Sequence, residues 1–165
     1  MHPPARRRLR RNEPDAEGLP PAVPYRLDLR VYYQDTDAGG VVFHATYLNY
    51  FERARTEWLR DLGFGIGELT REPGVLFIVR EIQIKYFRPA LLDDRLTVTA
   101  GIEELGRAQF TLDQRVLRGE ELLVQAHVNL ACVTASELKP ARVPADIRAA
   151  LERSQGWPIT EQGEV

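Results

Sequence analysis

"VYYQDTDAGGVVFHATYLNYFERARTEWL", residues 31–59, sets two aspartates, a Gly-Gly pair and one histidine immediately ahead of a helical apolar pattern. From Tyr47 the apolar positions Phe51, Ala54, Trp58 and Leu62 recur at intervals of three and four, while Glu52, Arg53, Arg55, Glu57 and Arg60 fill the other face. This is the period of an amphipathic helix with one buried stripe. It predicts a helix from Thr46, entered around residues 44–46 and stopped at Gly63. Just upstream, "YRLDLRVYY" alternates Leu27, Leu29 and Val31 with Arg26, Asp28 and Arg30, the period-two signature of a half-buried strand, here expected to end at Gln34.

Beyond a loop containing "GFGIGE" and "REPG", four further alternating runs follow. Their apolar faces are Ile82, Ile84 and Tyr86; Leu96, Val98, Ala100 and Ile102; Ala108, Phe110, Leu112 and Val116; and Val124, Ala126, Val128, Leu130 and Cys132. "RPALLDD", "ELGR" and "RGEE" separate consecutive runs, and spacings this short favour antiparallel hairpins over crossover helices. "KPARVPADIRAALER" closes the pattern with a short helix, Pro144 near its first turn. A strand, one long helix and four strands give a single α+β domain in which an antiparallel sheet covers the apolar helix.

The totals agree with one domain: 165 residues, 44% hydrophobic, 28% charged. A formal net charge of -2 gives no global attraction to nucleic acid, and no nucleic-acid partner is expected. No apolar run approaches the roughly 20 residues needed to span a bilayer, and the basic N-terminus lacks the apolar segment of a secretory signal. The lone Cys132 lies in an alternating strand and is expected to be a reduced, buried small hydrophobe, which fits a cytoplasmic protein. Residues 1–24 are rich in Pro, Arg and acidic groups and read as a disordered arm; residues 25–155 form the folded domain and 156–165 a flexible tail. Within the arm, "RRRLRR" at residues 6–11 offers contact with anionic lipid headgroups, against the ordinary reading of a solvated tail.

The opening loop has the elements of carbonyl chemistry. A helix N-terminus carries unsatisfied N–H groups and favours a developing oxyanion. Gly39 and Gly40 allow a sharp turn and a close approach to the backbone. Asp37 is placed to act as nucleophile or general base, His44 to donate or hold geometry, and Tyr33 to orient the carboxylate or a water. Each residue also has an ordinary structural role: Asp35 and Asp37 as turn formers, His44 as a capping histidine, Tyr33 as a strand-end aromatic with a wet hydroxyl. "DTD" matches metal-binding DxD pairs in spacing, yet two carboxylates without further hard ligands are weak grounds for a metal, and none is assigned.

The whole string "RVYYQDTDAGGVVFHATYLNYFERARTEWLRDLG" resembles the signature region of the hotdog-fold acyl-CoA thioesterases. More narrowly, it is similar to the branch of the 4-hydroxybenzoyl-CoA thioesterase family associated with the Tol-Pal envelope system. The similarity continues through "FIVREIQIKYFRPALLDDRLTV" to "KPARVP" and covers residues 26–147. It implies a long central helix wrapped by a strongly bent antiparallel sheet, hydrolysis of an acyl-CoA, and Asp37, His44 and Tyr33 as the catalytic group. It implies no metal or redox cofactor. It also implies homodimers or homotetramers with active sites at the dimer interface. Phe43 and Gln34 depart from relatives that carry Tyr and Glu there, which bears on acyl preference rather than on chemistry.

Coenzyme A carries phosphates that attract Lys and Arg, and Arg88, Lys139 and Arg142 are the candidate partners, with plain solvation as the alternative. Tyr47, Tyr50, Phe51 and Phe87 either line an acyl pocket or fill the core, Phe51 belonging to the buried helix stripe. Competing functions are a non-catalytic binder of acyl-CoA or acyl carrier protein, an envelope-complex partner, and a hotdog dehydratase. The joint presence of Tyr33, Asp37 and His44 counts against the binders, and their arrangement against the dehydratase. Cytoplasmic location, with peripheral contact at the inner membrane, completes the expectation.

Overall fold

The computed structural model describes residues 24–154, so the arm, apart from Pro24, and the tail expected from sequence lie outside the described residues. In chain order the elements are β1 (Tyr25–Arg30), a 3-10 turn (Tyr33–Asp35), α1 (Thr46–Asp61), α2 (Ile66–Arg71), β2 (Val75–Tyr86), β3 (Arg95–Leu105), β4 (Gln109–Arg118), β5 (Glu121–Thr134) and α3 (Ala145–Arg153). The strands form one antiparallel sheet in the order β1-β3-β4-β5-β2. One face of the sheet covers α1, as expected for the hotdog fold.

The helix follows from its stripe. Tyr47, Tyr50, Phe51, Ala54 and Trp58 are all buried, packed against Leu96, Val98, Phe110, Leu112 and Val128 of the sheet. A flat sheet cannot enclose a cylinder, and the register shifts between Val79 and Glu81, Ile102 and Glu104, and Val116 and Leu117 supply the bends. At the C-terminus of α1, Gly63 takes a left-handed φ of 91° and its N–H bonds to the Arg60 carbonyl at 2.9 Å, while Phe64 N–H bonds back to Leu59 at 2.8 Å. This is the Schellman closure that glycine makes without steric cost.

Several expectations are corrected. β1 ends at Arg30 rather than Gln34, because Val31 leaves the ladder to exchange hydrogen bonds with Asp93 (3.0 Å) and Asp94 (2.9 Å) before the 3-10 turn begins. The loop after α1 contains the short helix α2, and β2 starts at Val75, well before the alternating "EIQIKYF". "RPALLDD" is not a hairpin: β2 pairs with β5, from Val75 opposite Thr134 to Tyr86 opposite Val124, so this link carries the chain across the sheet to β3. Tyr86 is exposed, and Ile82 and Ile84, expected on the same buried face, are only half-buried.

Arg55, assigned from sequence to the polar face, is buried. Its Nη1 donates to Gln114 Oε1 at 2.9 Å and its Nη2 to Glu52. The Gln114 amide, fully enclosed, donates to the Phe51 and Thr99 carbonyls at 3.1 and 3.3 Å. Burial holds the Arg55 pKa below its ordinary value, the Glu52 carboxylate opposing this. The network joins α1 to β3 and β4 through polar groups that have no water to turn to, so each depends on the others. Replacing Gln114 by Leu leaves the buried Nη1 of Arg55 without its acceptor; urea unfolding of Gln114→Leu should show a loss of about 2–3 kcal/mol, partly recovered in Gln114→Leu with Arg55→Met.

Candidate active site

Between the 3-10 turn and α1 the chain closes a small hairpin. Asp37 N–H donates to the Val41 carbonyl at 2.9 Å, Gly40 N–H to Asp37 at 3.0 Å, and Phe43 N–H to Asp35 at 2.9 Å, with Thr36 bridging Val42. Gly40 turns the corner at φ 74°, a left-handed conformation that side chains resist. The returning arm is tied to the segment after β2 through Val42 N–H to the Ala90 carbonyl (2.9 Å) and the Val41–Leu91 bridge. The loop is thus a bonded element laid against the entry of α1.

Its side chains divide by exposure. Asp35 is buried, and its Oδ2 accepts the Tyr32 N–H at 2.8 Å. Asp37 is exposed, and its Oδ1 accepts the Gly39 N–H at 2.7 Å, which leaves Oδ2 open. A Cβ at residue 39 would stand 3.0 Å from that Oδ1, so glycine there lets the carboxylate lie close to the backbone. Tyr33 is 82% exposed, with its hydroxyl unbonded among the described residues. His44 is exposed at the helix entry, its ring 4.5 Å from that of Phe43.

The first turn of α1 has no side-chain cap. Thr46 N–H is taken by the Phe43 carbonyl at 2.8 Å and Leu48 N–H by Ala45 at 3.1 Å, whereas the His44, Ala45 and Tyr47 N–H groups find no acceptor among the described residues. These are the free donors, at the positive end of the helix dipole, that an oxyanion requires. Beside them Val42, His44, Tyr47, Tyr86, Phe87, Arg88 and Pro89 line a cleft of about 310 Å³. Tyr86 Oη donates to the His44 carbonyl at 2.8 Å, and Tyr47 Oη accepts the Ala90 N–H at 3.1 Å. Loss of surrounding water raises the pKa of both phenols, Tyr47 in the core and the partly covered Tyr86 at the cleft.

Of the residues singled out from sequence, the fold brings Tyr33, Asp37 and His44 onto one hydrogen-bonded loop, with only His44 in the cleft wall. Arg88 borders the same cleft and pairs with Glu121 at 3.3 Å. Lys139 pairs with Glu137 at 2.7 Å, and Arg142 lines a separate basic hollow of about 660 Å³ with Arg107 and Arg148. Phe87 and Arg88 bond to Leu123 near the start of β5, while Ala141 bonds to Cys132 near its end. Nine residues of strand separate these points by about 30 Å, so a single chain does not gather the three predicted phosphate partners. Sequence reasoning missed Tyr86 as a clamp on His44, and Arg107 and Arg148, which join Arg142 only through long-range folding. Among the described residues no group of three or more His, Cys, Asp or Glu is placed to hold a metal.

Comparison with known proteins agrees with this fold. A profile of the thioesterase-like superfamily matches residues 31–151. The acyl-CoA thioesterase YbgC of Haemophilus influenzae is 44% identical over 126 residues, 76% of this chain and 93% of that protein. The acyl-CoA thioester hydrolase YbgC of Escherichia coli is 41% identical over 130 residues, 78% and 96% respectively. Among solved structures, a probable thioesterase from Bartonella henselae superposes with a TM-score of 0.71 at 42% identity, covering 74% of this chain and all of that one. The match runs through the loop, the helix and the sheet that carries them: the chain belongs to the thioesterase-like superfamily.

Proposed function

We propose that this protein is an acyl-CoA thioesterase that carries out hydrolysis at the loop of residues 33–44. The observation that carries the reading is the meeting, on one bonded loop, of a carboxylate with an open oxygen and a helix N-terminus with free N–H donors. The names of the relatives support the same reaction class. The thioester carbonyl sits at the entry of α1, where the free N–H groups stabilise the oxyanion; losing one such donor typically costs roughly 10²–10³ in rate. Asp37 acts through its open oxygen, either drawing a proton from the water that attacks the carbonyl carbon or attacking that carbon itself to give an acyl-aspartyl anhydride that water then hydrolyses to the free acid. His44 and Tyr33 assist by hydrogen bonding, and CoA leaves as the thiol.

The working unit is a dimer. β2 is a long edge strand whose outer side has no partner among the described residues, and Ile78, Val79, Tyr86 and Phe87 are exposed along it. Such an edge invites pairing with another chain. Two copies joined antiparallel along β2 around a two-fold axis would set the Tyr86 end of one against the Val75 end of the other. The second copy's Lys139 and Arg142, which lie beyond the Val75 end, are thereby carried toward the His44 cleft and Arg88 of the first. This resolves the separation of the phosphate partners within one chain. Pairing of dimers into a homotetramer, thioesters on acyl carrier protein, cytoplasmic location, association with the Tol-Pal system and inner-membrane contact through the basic arm extend this reading. Among the described residues no helix is long and apolar enough to cross a membrane.

The test is release of CoA thiol from short, long and aromatic acyl-CoAs by the wild type and by Asp37→Asn. Asparagine keeps the Oδ1 acceptor for Gly39 N–H, so the loop stays folded while the charge is lost. Wild type should turn over at least one class, and Asp37→Asn should fall about a hundredfold or more. Release by neither protein, both folded, would favour a binding protein instead. Sedimentation equilibrium of the same samples should give at least the mass of a dimer; a monomer that turns over fully would contradict the shared site.

A further inference from the structure

We infer that Asp35, the first aspartate of "DTD", is the positioning residue of the loop, holding Tyr33, Asp37 and His44 in register through hydrogen bonds while taking no part in the chemistry itself. The inference rests on the proposed thioesterase reading. Asp35 is only 8% exposed, whereas the three residues it lies among are open to solvent. Its N–H donates to the Tyr32 carbonyl at 2.9 Å and its Oδ2 accepts the Tyr32 N–H at 2.8 Å, which closes the turn that presents Tyr33. Its carbonyl accepts the Phe43 N–H at 2.9 Å and the Thr46 hydroxyl at 3.5 Å, which fixes the segment carrying His44 and the first residue of α1. Asp37 follows two residues on, in the arm that this bond to Phe43 closes. One residue therefore ties the turn bearing Tyr33 to the segment bearing His44, with Asp37 in the arm between them.

A second buried group supports Asp35 from beneath. Tyr50, on the core face of α1, is fully enclosed, and its hydroxyl makes no hydrogen bond of ordinary geometry among the described residues. Burial, and then the Asp35 carboxylate, push the Tyr50 pKa far above the usual phenol value. Buried polar groups are rarely left unpaired, so Tyr50 fits as the second donor to Asp35. No cation pairs with Asp35 among the described residues; its place in the fold depends on geometry rather than on a salt bridge.

The two aspartates should separate under substitution. Asp35→Asn keeps an oxygen that can accept the Tyr32 N–H, so kcat should stay within about threefold of wild type, with the pH profile unchanged. Asp35→Ala removes the acceptor and should lower kcat ten- to hundredfold with little change in KM, since a displacement of about 1 Å can cost roughly 10² in rate. Amide hydrogen exchange at Asp37 and Phe43 should accelerate in Asp35→Ala and not in Asp35→Asn. If the alanine variant does not fold, Asp35→Glu, which keeps charge but misplaces it, should show the same losses. A fall in Asp35→Asn as deep as in Asp37→Asn would overturn the inference by giving Asp35 a chemical role. Unchanged kcat and exchange in Asp35→Ala, or in Asp35→Glu where that replaces it, would overturn it by removing any positioning role. Exchange needs no substrate, so if Asp37→Asn proves fully active the thioesterase assignment of Asp37 fails while the exchange data still judge Asp35.

Discussion

The burial of one apolar face of α1 is the constraint on which the remaining structure depends. A 16-residue helix with seven buried positions has to be enclosed, and only a sheet that bends at several points can do so. The bulges in β2, β3 and β5, the crossing link from β2 to β3 and the length of β5, which bridges β4 and β2, all serve that enclosure. The Arg55–Gln114–Thr99 network fixes how the helix lies on the sheet, because its groups are satisfied only together.

The proposed function grows from the same helix at its other end. The C-terminus of α1 is sealed by Gly63 and Phe64, whereas the N-terminus is left without a side-chain cap and with free N–H donors. The hairpin of residues 35–43 leads into that open end and carries the exposed Asp37 carboxylate. The architecture thus separates two roles of aspartate within three residues: one enclosed and bonded to the turn, one exposed with an oxygen to spare.

Much of this was legible in the sequence, for identifiable reasons. The periods of α1 and of β3, β4 and β5 come from burial on one side, so alternation reports them directly. The candidate loop was legible because Tyr33, Asp37 and His44 lie within a dozen residues and resemble a family signature. What escaped depends on partners distant in the chain. Arg55 follows the polar pattern of its helix, and beside the local Glu52 it is Gln114, 59 positions away, that makes its burial tolerable. Val31 continues the alternation of β1, yet its backbone is claimed by Asp93 and Asp94. The pairing of β2 with β5 cannot be read from either strand alone. The distance between Arg88 and Arg142 follows from the length of β5, which no motif records.

The central claim, that the thioester is cleaved where the residue 33–44 loop meets α1, is tested most directly by a crystal structure with an acyl-CoA analogue in which a methylene replaces the sulfur. The account predicts the analogue's ketone oxygen about 3 Å from a free N–H among His44, Ala45 and Tyr47, with the open Asp37 oxygen facing the carbonyl carbon. A ketone bound away from both the helix entry and Asp37 would contradict it.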